Sequence, residues 1–194
     1  MPFPAFLDAC VLVPARLSDL LLRLAEADTY RLLWSEQVLQ EVERNLPKVT
    51  ADKARKRVDA MRAAFPDAMV TGYEPLINGM TNHPKDRHVL AAAVRANTEV
   101  IVTANLKDFP AEALTPYDID AVHPDDFLMD QLDLYPEQTV TCVLEMLADC
   151  NHPPITAESF MARFSGVAPG FVAEVRTPLL QADWSAHRGR PRPV

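Results

Sequence analysis

The chain has 194 residues, of which 48% are apolar, and a formal net charge of −8. This length suffices for one sizeable core, or for a core with a smaller appended domain, and the acidic balance argues against a protein that simply coats nucleic acid. No apolar run reaches the length of a membrane span. The first residues, MPFPAFLDAC, lack the basic segment of a signal peptide. The three cysteines are scattered, which indicates reduced thiols. We therefore expect a cytoplasmic protein.

The first two thirds of the chain predict an α/β fold. Apolar and β-branched runs favour strands, leucine spacing favours a helix after the first strand, and Ser35 and Thr50 are typical helix N-caps. Residues 67–80 contain several breakers and predict an irregular segment. In chain order we expect strands at 3–7, 30–34, 100–102 and 118–122, and helices at 18–27, 36–46, 51–65 and 84–96. This alternation indicates a parallel sheet flanked by helices.

Beyond His123 the pattern is helical only. We expect helices from Pro124 to Leu134, from Pro136 to about Cys150, after the N-cap Thr156, and within 169–182. The domains predicted from this change are an α/β domain at 1–123, a helical C-terminal extension at 124–183 and a basic, disordered tail at 184–194.

The stretch that follows the third expected strand is rich in polar groups. Val100, Ile101 and Val102 suit a strand buried on both faces, and the polar residues that come next are Thr103, Asn105, Lys107 and Asp108. In an open α/β sheet the loops beyond the carboxyl ends of the strands line the ligand crevice. This loop is therefore a candidate site.

Four acids have positions from which they can reach that crevice. Asp8 ends the first strand, Glu41 lies nearly two turns into the helix after the second, Asp86 lies in the first turn of a helix, and Asp108 follows a buried strand. Each also has an ordinary structural explanation: a turn cap, a surface pair with Arg44, a partner for the helix dipole, or a loop acid.

Clustered carboxylates repel one another unless a cation neutralises them, so we expect at least one raised pKa among them. Oxygen ligands favour hard divalent ions, Mg²⁺ or Mn²⁺. Such an ion activates water and stabilises a phosphoryl transition state. The four acids therefore predict a metal-dependent hydrolytic site.

Four segments resemble, in chain order, the motif regions of PIN-domain ribonucleases, most closely the VapC-type toxins of bacterial toxin–antitoxin pairs: LDACVL (7–12), SEQVLQEVERNL (35–46), DRHVLAAAV (86–94) and VIVTANLKDFP (100–110). The resemblance covers about residues 3–123, and the helical remainder is similar to the C-terminal extension of one VapC subgroup. It implies a Mg²⁺- or Mn²⁺-dependent endoribonuclease with metal ligands at Asp8, Glu41, Asp86 and Asp108. It also implies Thr103 and Asn105 as supporting polar groups, RNA as the substrate and an antitoxin as the protein partner.

The chain departs from this resemblance at one place. Many relatives carry a further acid just before the third motif, where this chain reads Asn82-His83-Pro84-Lys85-Asp86. Lys85 or His83 at that position is expected to alter metal affinity, so one metal or two stays open. Five histidines without ligand spacing do not by themselves predict a metal role, and Cys10 is expected to be a small buried apolar residue.

Two further choices concern the acids and the basic residues. Glu43 is a rival to Glu41 as a metal ligand. The two side chains point about 200° apart on a helix, so both cannot serve one site. The motif match favours Glu41.

Segment 44–62 holds seven basic residues against two acids, whereas 108–158 holds twelve acids and no Lys or Arg. The basic helix is either a solvated face or a surface for phosphates; the RNA-binding residues we predict are Lys53, Arg55, Lys56 and Arg57.

Two other functions compete with the nuclease. A phosphotransfer protein with a phosphorylated Asp8 is opposed by Cys10, which stands where haloacid-dehalogenase-type phosphatases carry a second acid. A non-catalytic binding module would use the acidic half to hold a basic partner. A homo-oligomer is compatible with each of these functions, and none of them involves a membrane.

Overall fold

Five short strands form one parallel sheet in the spatial order β3-β2-β1-β4-β5. The structure, a computed structural model, describes residues 2–46, 49–149 and 156–181; the expected tail at 184–194 lies outside them. The strands are β1 (Pro4–Leu7), β2 (Arg31–Ser35), β3 (Met69–Val70), β4 (Val100–Val102) and β5 (Asp120–Val122). The central strands are almost fully buried, as their runs of apolar residues predict.

The helices of the described chain follow the sequence prediction closely. They are α1 (Ala9–Leu12), α2 (Ala15–Glu26), α3 (Glu36–Asn45), α4 (Ala51–Ala64), α5 (Arg87–Arg95), α6 (Ala111–Leu114), α7 (Pro124–Leu134), α8 (Pro136–Asp149), α9 (Ala157–Phe164) and α10 (Pro169–Gln181). Among the described residues, no helix is both long and apolar enough to cross a lipid bilayer.

Three predicted N-caps are confirmed by their hydrogen bonds. The side chain of Ser35 accepts from the backbone N–H of Val38, that of Thr50 from Lys53, and that of Thr156 from Ser159. Each of these bonds satisfies one N–H that the first turn of a helix leaves without a partner. The starts of α3, α4 and α9 are thus fixed locally.

Some elements differ from the prediction. The one-turn helix α1 follows β1 directly, and β3 lies inside the segment expected to be irregular. The alanine-rich helix α5 begins at Arg87 and not at Pro84, so Asp86 occupies its N-cap position and not its first turn.

The described residues fall into two units. One unit contains 2–14 and 30–123 and holds the whole sheet, whereas the other contains 15–29 and the residues from 124 onward and is helical. The helix α2 therefore groups with α7–α10, although it lies between β1 and β2 in sequence. The domain boundary between residues 123 and 124 stays a prediction.

The carboxyl ends of β1 and β4 define the edge of the sheet that matters for function. These neighbouring strands are in register from Ala5–Val100 to Leu7–Val102, and β2 and β5 lie on their outer sides. The chain connections diverge between β1 and β4, which makes this the switch point where open α/β sheets form ligand crevices.

Candidate metal centre

Asp8 is the first residue beyond β1 and is nearly inaccessible to solvent. Its backbone N–H donates to the carbonyl of Val102 (3.1 Å), and its side chain is 3% exposed. Although it occupies the N-cap position of α1, its side chain makes no capping hydrogen bond. The carboxylate therefore does not act as the turn cap that its position allows.

Two side chains donate to one oxygen of Asp8. The Thr103 hydroxyl, at the end of β4, donates to Oδ2 at 2.7 Å, and the Cys10 thiol donates to the same oxygen at 3.1 Å. The Thr103 hydroxyl oxygen in turn accepts from the backbone N–H of Asn105 (3.1 Å). Because Oδ2 carries both of these bonds, the orientation of the carboxylate is set.

Cys10 has more contacts than a small apolar residue would make. Its sulfur accepts from the backbone N–H of Ala104 (3.2 Å) and lies 3.3 Å from the Thr103 hydroxyl. Burial, followed by the negative charge of Asp8, raises the pKa of the thiol to about 12. The thiol thus stays protonated at neutral pH and serves as a hydrogen-bond donor, a role that the sequence analysis missed.

A second group of donor atoms comes from the loop before α5 and the loop after β4. One ligand atom from each of His83, Asp86 and Asp108 lies within 4.8 Å of the other two, the one such group found among the described residues. The Nδ1 atom of His83 lies 3.3 Å from Oδ2 of Asp86. Asp86 makes no side-chain cap for α5, so its carboxylate is not committed to the helix terminus.

Electrostatics connect this group to Asp8. Burial raises the pKa of Asp86, and the charges of Asp8 and Asp108 raise it further, while His83 and His88 lower it. The expectation of at least one raised pKa is therefore confirmed. The three aspartates are close enough to repel, although Asp8 is not within 4.8 Å of the whole loop group.

Glu41 approaches the site through a histidine. Its Oε1 lies 3.1 Å from Nε2 of His88, which is 7% exposed and belongs to α5. This is an ion-pair distance without hydrogen-bond alignment, since neither ring nitrogen of His88 has an aligned partner. Arg44, the partner in the alternative structural explanation of Glu41, donates from its Nε to the backbone carbonyl of Gln40.

The rival glutamate lies elsewhere on α3. Glu43 lines a surface groove of about 510 Å³ together with Arg44, Leu46 and Val49. Two residues along a helix separate the two side chains by about 200°. The placement of Glu41 beside His88 is consistent with the choice made from the motif.

The basic residues of α4 do not form a uniform surface. Lys53, Arg55 and Lys56 are exposed, and Lys56 lies 3.1 Å from Asp52. Arg57 differs because its guanidinium donates to the carbonyl of Leu12 (3.0 Å), and burial lowers its pKa. Three of the four predicted RNA-binding side chains are thus accessible, and the fourth is held within the fold.

The donor set suits a hard divalent cation. Carboxylate oxygens match the ligands of Mg²⁺ and Mn²⁺. Burial raises the pKa of Asp86, and the charges of Asp8 and Asp108 raise it further; a divalent cation is a group that would neutralise these charges. The described residues therefore fit the metal that the resemblance implies.

Comparison with known proteins places the chain in a family. A protein named "Putative ribonuclease VapC50" from Mycobacterium tuberculosis (strain H37Rv) is 54% identical over 109 residues, which are 56% of this chain and 64% of that protein. No solved structure matches. The model of the VapC50 C-terminal domain matches residues 124–177, and the PIN domain model matches residues 4–107. Because the latter match covers more than half of the sequence and contains both β1 and β4, the chain belongs to the PIN domain family.

Proposed function

We propose that the chain is a Mg²⁺- or Mn²⁺-dependent endoribonuclease, the VapC-type toxin of a cytoplasmic toxin–antitoxin pair. The observation that carries the proposal is that Asp86 and Asp108 place ligand atoms within 4.8 Å of each other, while burial and the charges of Asp8 and Asp108 raise the pKa of Asp86. PIN family membership and the name of the mycobacterial relative support the same activity.

In this proposal Asp8, Asp86 and Asp108 hold the metal ion, with Glu41 completing the acidic site. The ion, when bound, supplies a water of lowered pKa and positive charge for the phosphoryl transition state. Thr103 and Cys10 fix the orientation of Asp8 through its Oδ2. Asn105, whose side chain is exposed in the same loop, is placed to contact a phosphate.

RNA affinity is assigned to the exposed part of α4. Lys53, Arg55 and Lys56 offer positive charge on a chain that is acidic overall, and phosphate contacts of this kind supply affinity without sequence readout. Arg57 was expected to share this role, but its bond to Leu12 supports a structural contribution.

The proposed protein partner is an antitoxin that places a cation in the acidic site. A guanidinium engages a carboxylate with two parallel hydrogen bonds, which makes Arg well suited to a cluster of aspartates. Added antitoxin is expected to suppress cleavage, and its key Arg→Ala variant to suppress it less.

The test is cleavage of a mixed RNA pool by the full chain in Mn²⁺, in Mg²⁺ and in chelator. We expect cleavage with either ion and none in chelator, and Asp86→Asn to abolish it. Glu41→Gln and Glu43→Gln form a matched pair on one helix, of which the first alone should lose most of the activity. RNA binding without cleavage in any metal would instead indicate a binding module, and a trapped aspartyl phosphate would indicate phosphotransfer.

A further inference from the structure

We propose that His83 is itself a ligand of the divalent ion and that its imidazole shifts the preference of the site from Mg²⁺ toward Mn²⁺. The proposal rests on the proposed function in that it needs a metal at this site. It assigns a role to one of the two residues, His83 and Lys85, that stand where many relatives in the resemblance carry a further acid.

The separations within the loop group match those of ligands around one ion. An octahedral ion with metal–oxygen distances of about 2.1 Å separates neighbouring ligand atoms by about 3.0 Å and opposite ones by about 4.2 Å. The 3.3 Å between His83 Nδ1 and Asp86 Oδ2 is close to the first value. One ligand atom from each of the three residues lies within 4.8 Å of the other two, close to the separation of about 4.2 Å between opposite ligands. Small side-chain adjustments therefore bring all three atoms onto one ion.

Backbone hydrogen bonds hold the three residues in this arrangement. The N–H of His83 donates to the carbonyl of Asp108 (3.1 Å), and the N–H of Asp86 donates to the carbonyl of His83 (2.9 Å). Pro84 further restricts the backbone of His83 to extended conformations. The His83 side chain is 45% exposed, so its ring is accessible to an ion from solvent while its backbone is fixed.

A buried amide next to His83 provides an independent observation. Asn82 is 2% exposed, and neither the oxygen nor the nitrogen of its side-chain amide has a hydrogen-bond partner among the described residues. An unsatisfied buried amide is unfavourable and calls for a partner such as water or an ion. Because Asn82 directly precedes His83 in the chain, water molecules that a hydrated divalent ion carries are candidates for that partner.

The donor type determines the selectivity. Carboxylates and water suit Mg²⁺ and Mn²⁺ alike. An imidazole nitrogen is a softer donor, which Mn²⁺, a first-row transition-metal ion, accepts more readily than Mg²⁺, whose ligands are oxygens. An imidazole added to the carboxylates of the site therefore favours Mn²⁺ more than an all-oxygen site does. Exchanging His83 for an aspartate should lower the ratio of Mn²⁺ to Mg²⁺ affinity while keeping a ligand in place.

The experiment measures metal binding directly on the full chain. Mn²⁺ and Mg²⁺ affinities are determined by calorimetry for the wild type, His83→Ala, His83→Asp and the control His187→Ala, which lies outside the described residues. Electron spin-echo spectroscopy of bound Mn²⁺ then detects ¹⁴N coupling from a coordinated imidazole. Circular dichroism verifies that each variant is folded.

We expect ¹⁴N coupling in the wild type and in His187→Ala and none in His83→Ala or His83→Asp. His83→Ala should weaken Mn²⁺ binding at least about tenfold, the scale on which the surroundings of metal sites affect affinity, and change Mg²⁺ binding less. His83→Asp should lower the ratio of Mn²⁺ to Mg²⁺ affinity below that of the wild type.

Bound Mn²⁺ without ¹⁴N coupling in the wild type, or with coupling that persists in His83→Ala, would overturn the role of His83. The proposed function would survive that result if Asp86→Asn still abolished both Mn²⁺ binding and RNA cleavage. Failure of the wild type to bind either ion would remove both proposals together.

Discussion

The hydroxyl of Thr103 donates to Oδ2 of Asp8 at 2.7 Å and so joins the ends of the two central strands. Both residues are the first beyond their strands, and Thr103 is fully buried. The backbone bond from Asp8 to Val102 runs alongside this contact. The register of β1 against β4 therefore sets the position of the most buried acid in the site.

Thr103→Val removes this donor while nearly preserving shape. The Asp8 carboxylate loses one of its two side-chain donors, and the N–H of Asn105 loses its acceptor. We expect about 1–3 kcal/mol lower stability and roughly 10–100-fold slower RNA cleavage, as for supporting groups in metal sites. Thr103→Ser, which keeps the hydroxyl, is the control and should retain most of both. An undiminished cleavage rate in Thr103→Val would show that Asp8 does not depend on this bond.

Asp8→Asn should separate metal binding from folding. In chelator the variant should melt at or above the wild type, because it removes a charge that raises the pKa of Asp86 and its amide oxygen can still accept from Thr103. Saturating Mn²⁺ should stabilise the wild type by about 2.7 kcal/mol at 100 times Kd and leave the variant almost unchanged. Thermal melts of both proteins with chelator and with excess Mn²⁺ provide the measurement.

Two results of those melts would contradict the assignment of Asp8. A variant that melts well below the wild type in chelator would make Asp8 a structural residue. Equal stabilisation of both proteins by Mn²⁺ would place the ion at another site.

Local signals in the sequence account for the parts of the fold that were predicted. Ser35, Thr50 and Thr156 could be predicted as N-caps because each hydroxyl accepts a hydrogen bond from a backbone N–H only three residues later in the chain. The buried run at 100–102 likewise predicts both a central strand and a polar loop after it. The family resemblance then selected four of the 27 acidic residues as candidate metal ligands.

The features that were missed depend on residues far apart in sequence. The strand β3 has two residues and exists only through its pairing with Trp34 and Ser35 of β2. The thiol of Cys10 becomes a donor because Ala104, 94 residues away, fixes its sulfur. His83 joins the acids through its backbone bond to Asp108, which no spacing of ligand residues in the sequence indicates.

In the basic helix α4 we expect the exposed basic residues to bind RNA and Arg57 to stabilise the fold. The exposed pair Arg55→Glu and Lys56→Glu should weaken RNA binding and reduce the salt slope by roughly 0.7 for each lost phosphate contact on single strands. Metal binding should be unchanged. Arg57→Ala should instead lower stability by about 1–3 kcal/mol, because it removes a charged donor to the carbonyl of Leu12.

Binding isotherms at several salt concentrations and denaturant melts measure these two effects. If the double variant binds RNA with unchanged affinity and slope, the RNA path lies elsewhere, for example along the basic residues 188–192. If Arg57→Ala instead lowers RNA affinity at full stability, its side chain belongs to the RNA surface.

In the helical unit, Arg23 of α2 is the cation of a largely buried ion cluster. Its guanidinium lies 3.1 Å from Asp19, 2.6 Å from Asp149 and 3.7 Å from Glu145, and its side chain is 6% exposed. Burial raises the pKa of the neighbouring Glu26, Arg23 lowers it, and Glu145 raises it. Arg23 thus opposes the effect of burial on the pKa of Glu26.

Arg23→Met keeps much of the side-chain volume and leaves these carboxylates without their cation. We expect a loss of about 1–3 kcal/mol at neutral pH, less than the 3–5 kcal/mol of a fully buried pair, because the acids are 20–40% exposed. Without Arg23 the pKa of Glu26, which burial already raises, rises further above its value in the unfolded chain. The stability that depends on this group is therefore present at low pH and is lost as pH rises. The difference between wild type and variant should therefore shrink from pH 7.5 to pH 4.5 in denaturant melts. Arg163→Met, the same change at an exposed position of α9, is the control and should lower the free energy of unfolding little at either pH. A loss of stability in Arg23→Met that does not depend on pH would be due to packing and not to charge.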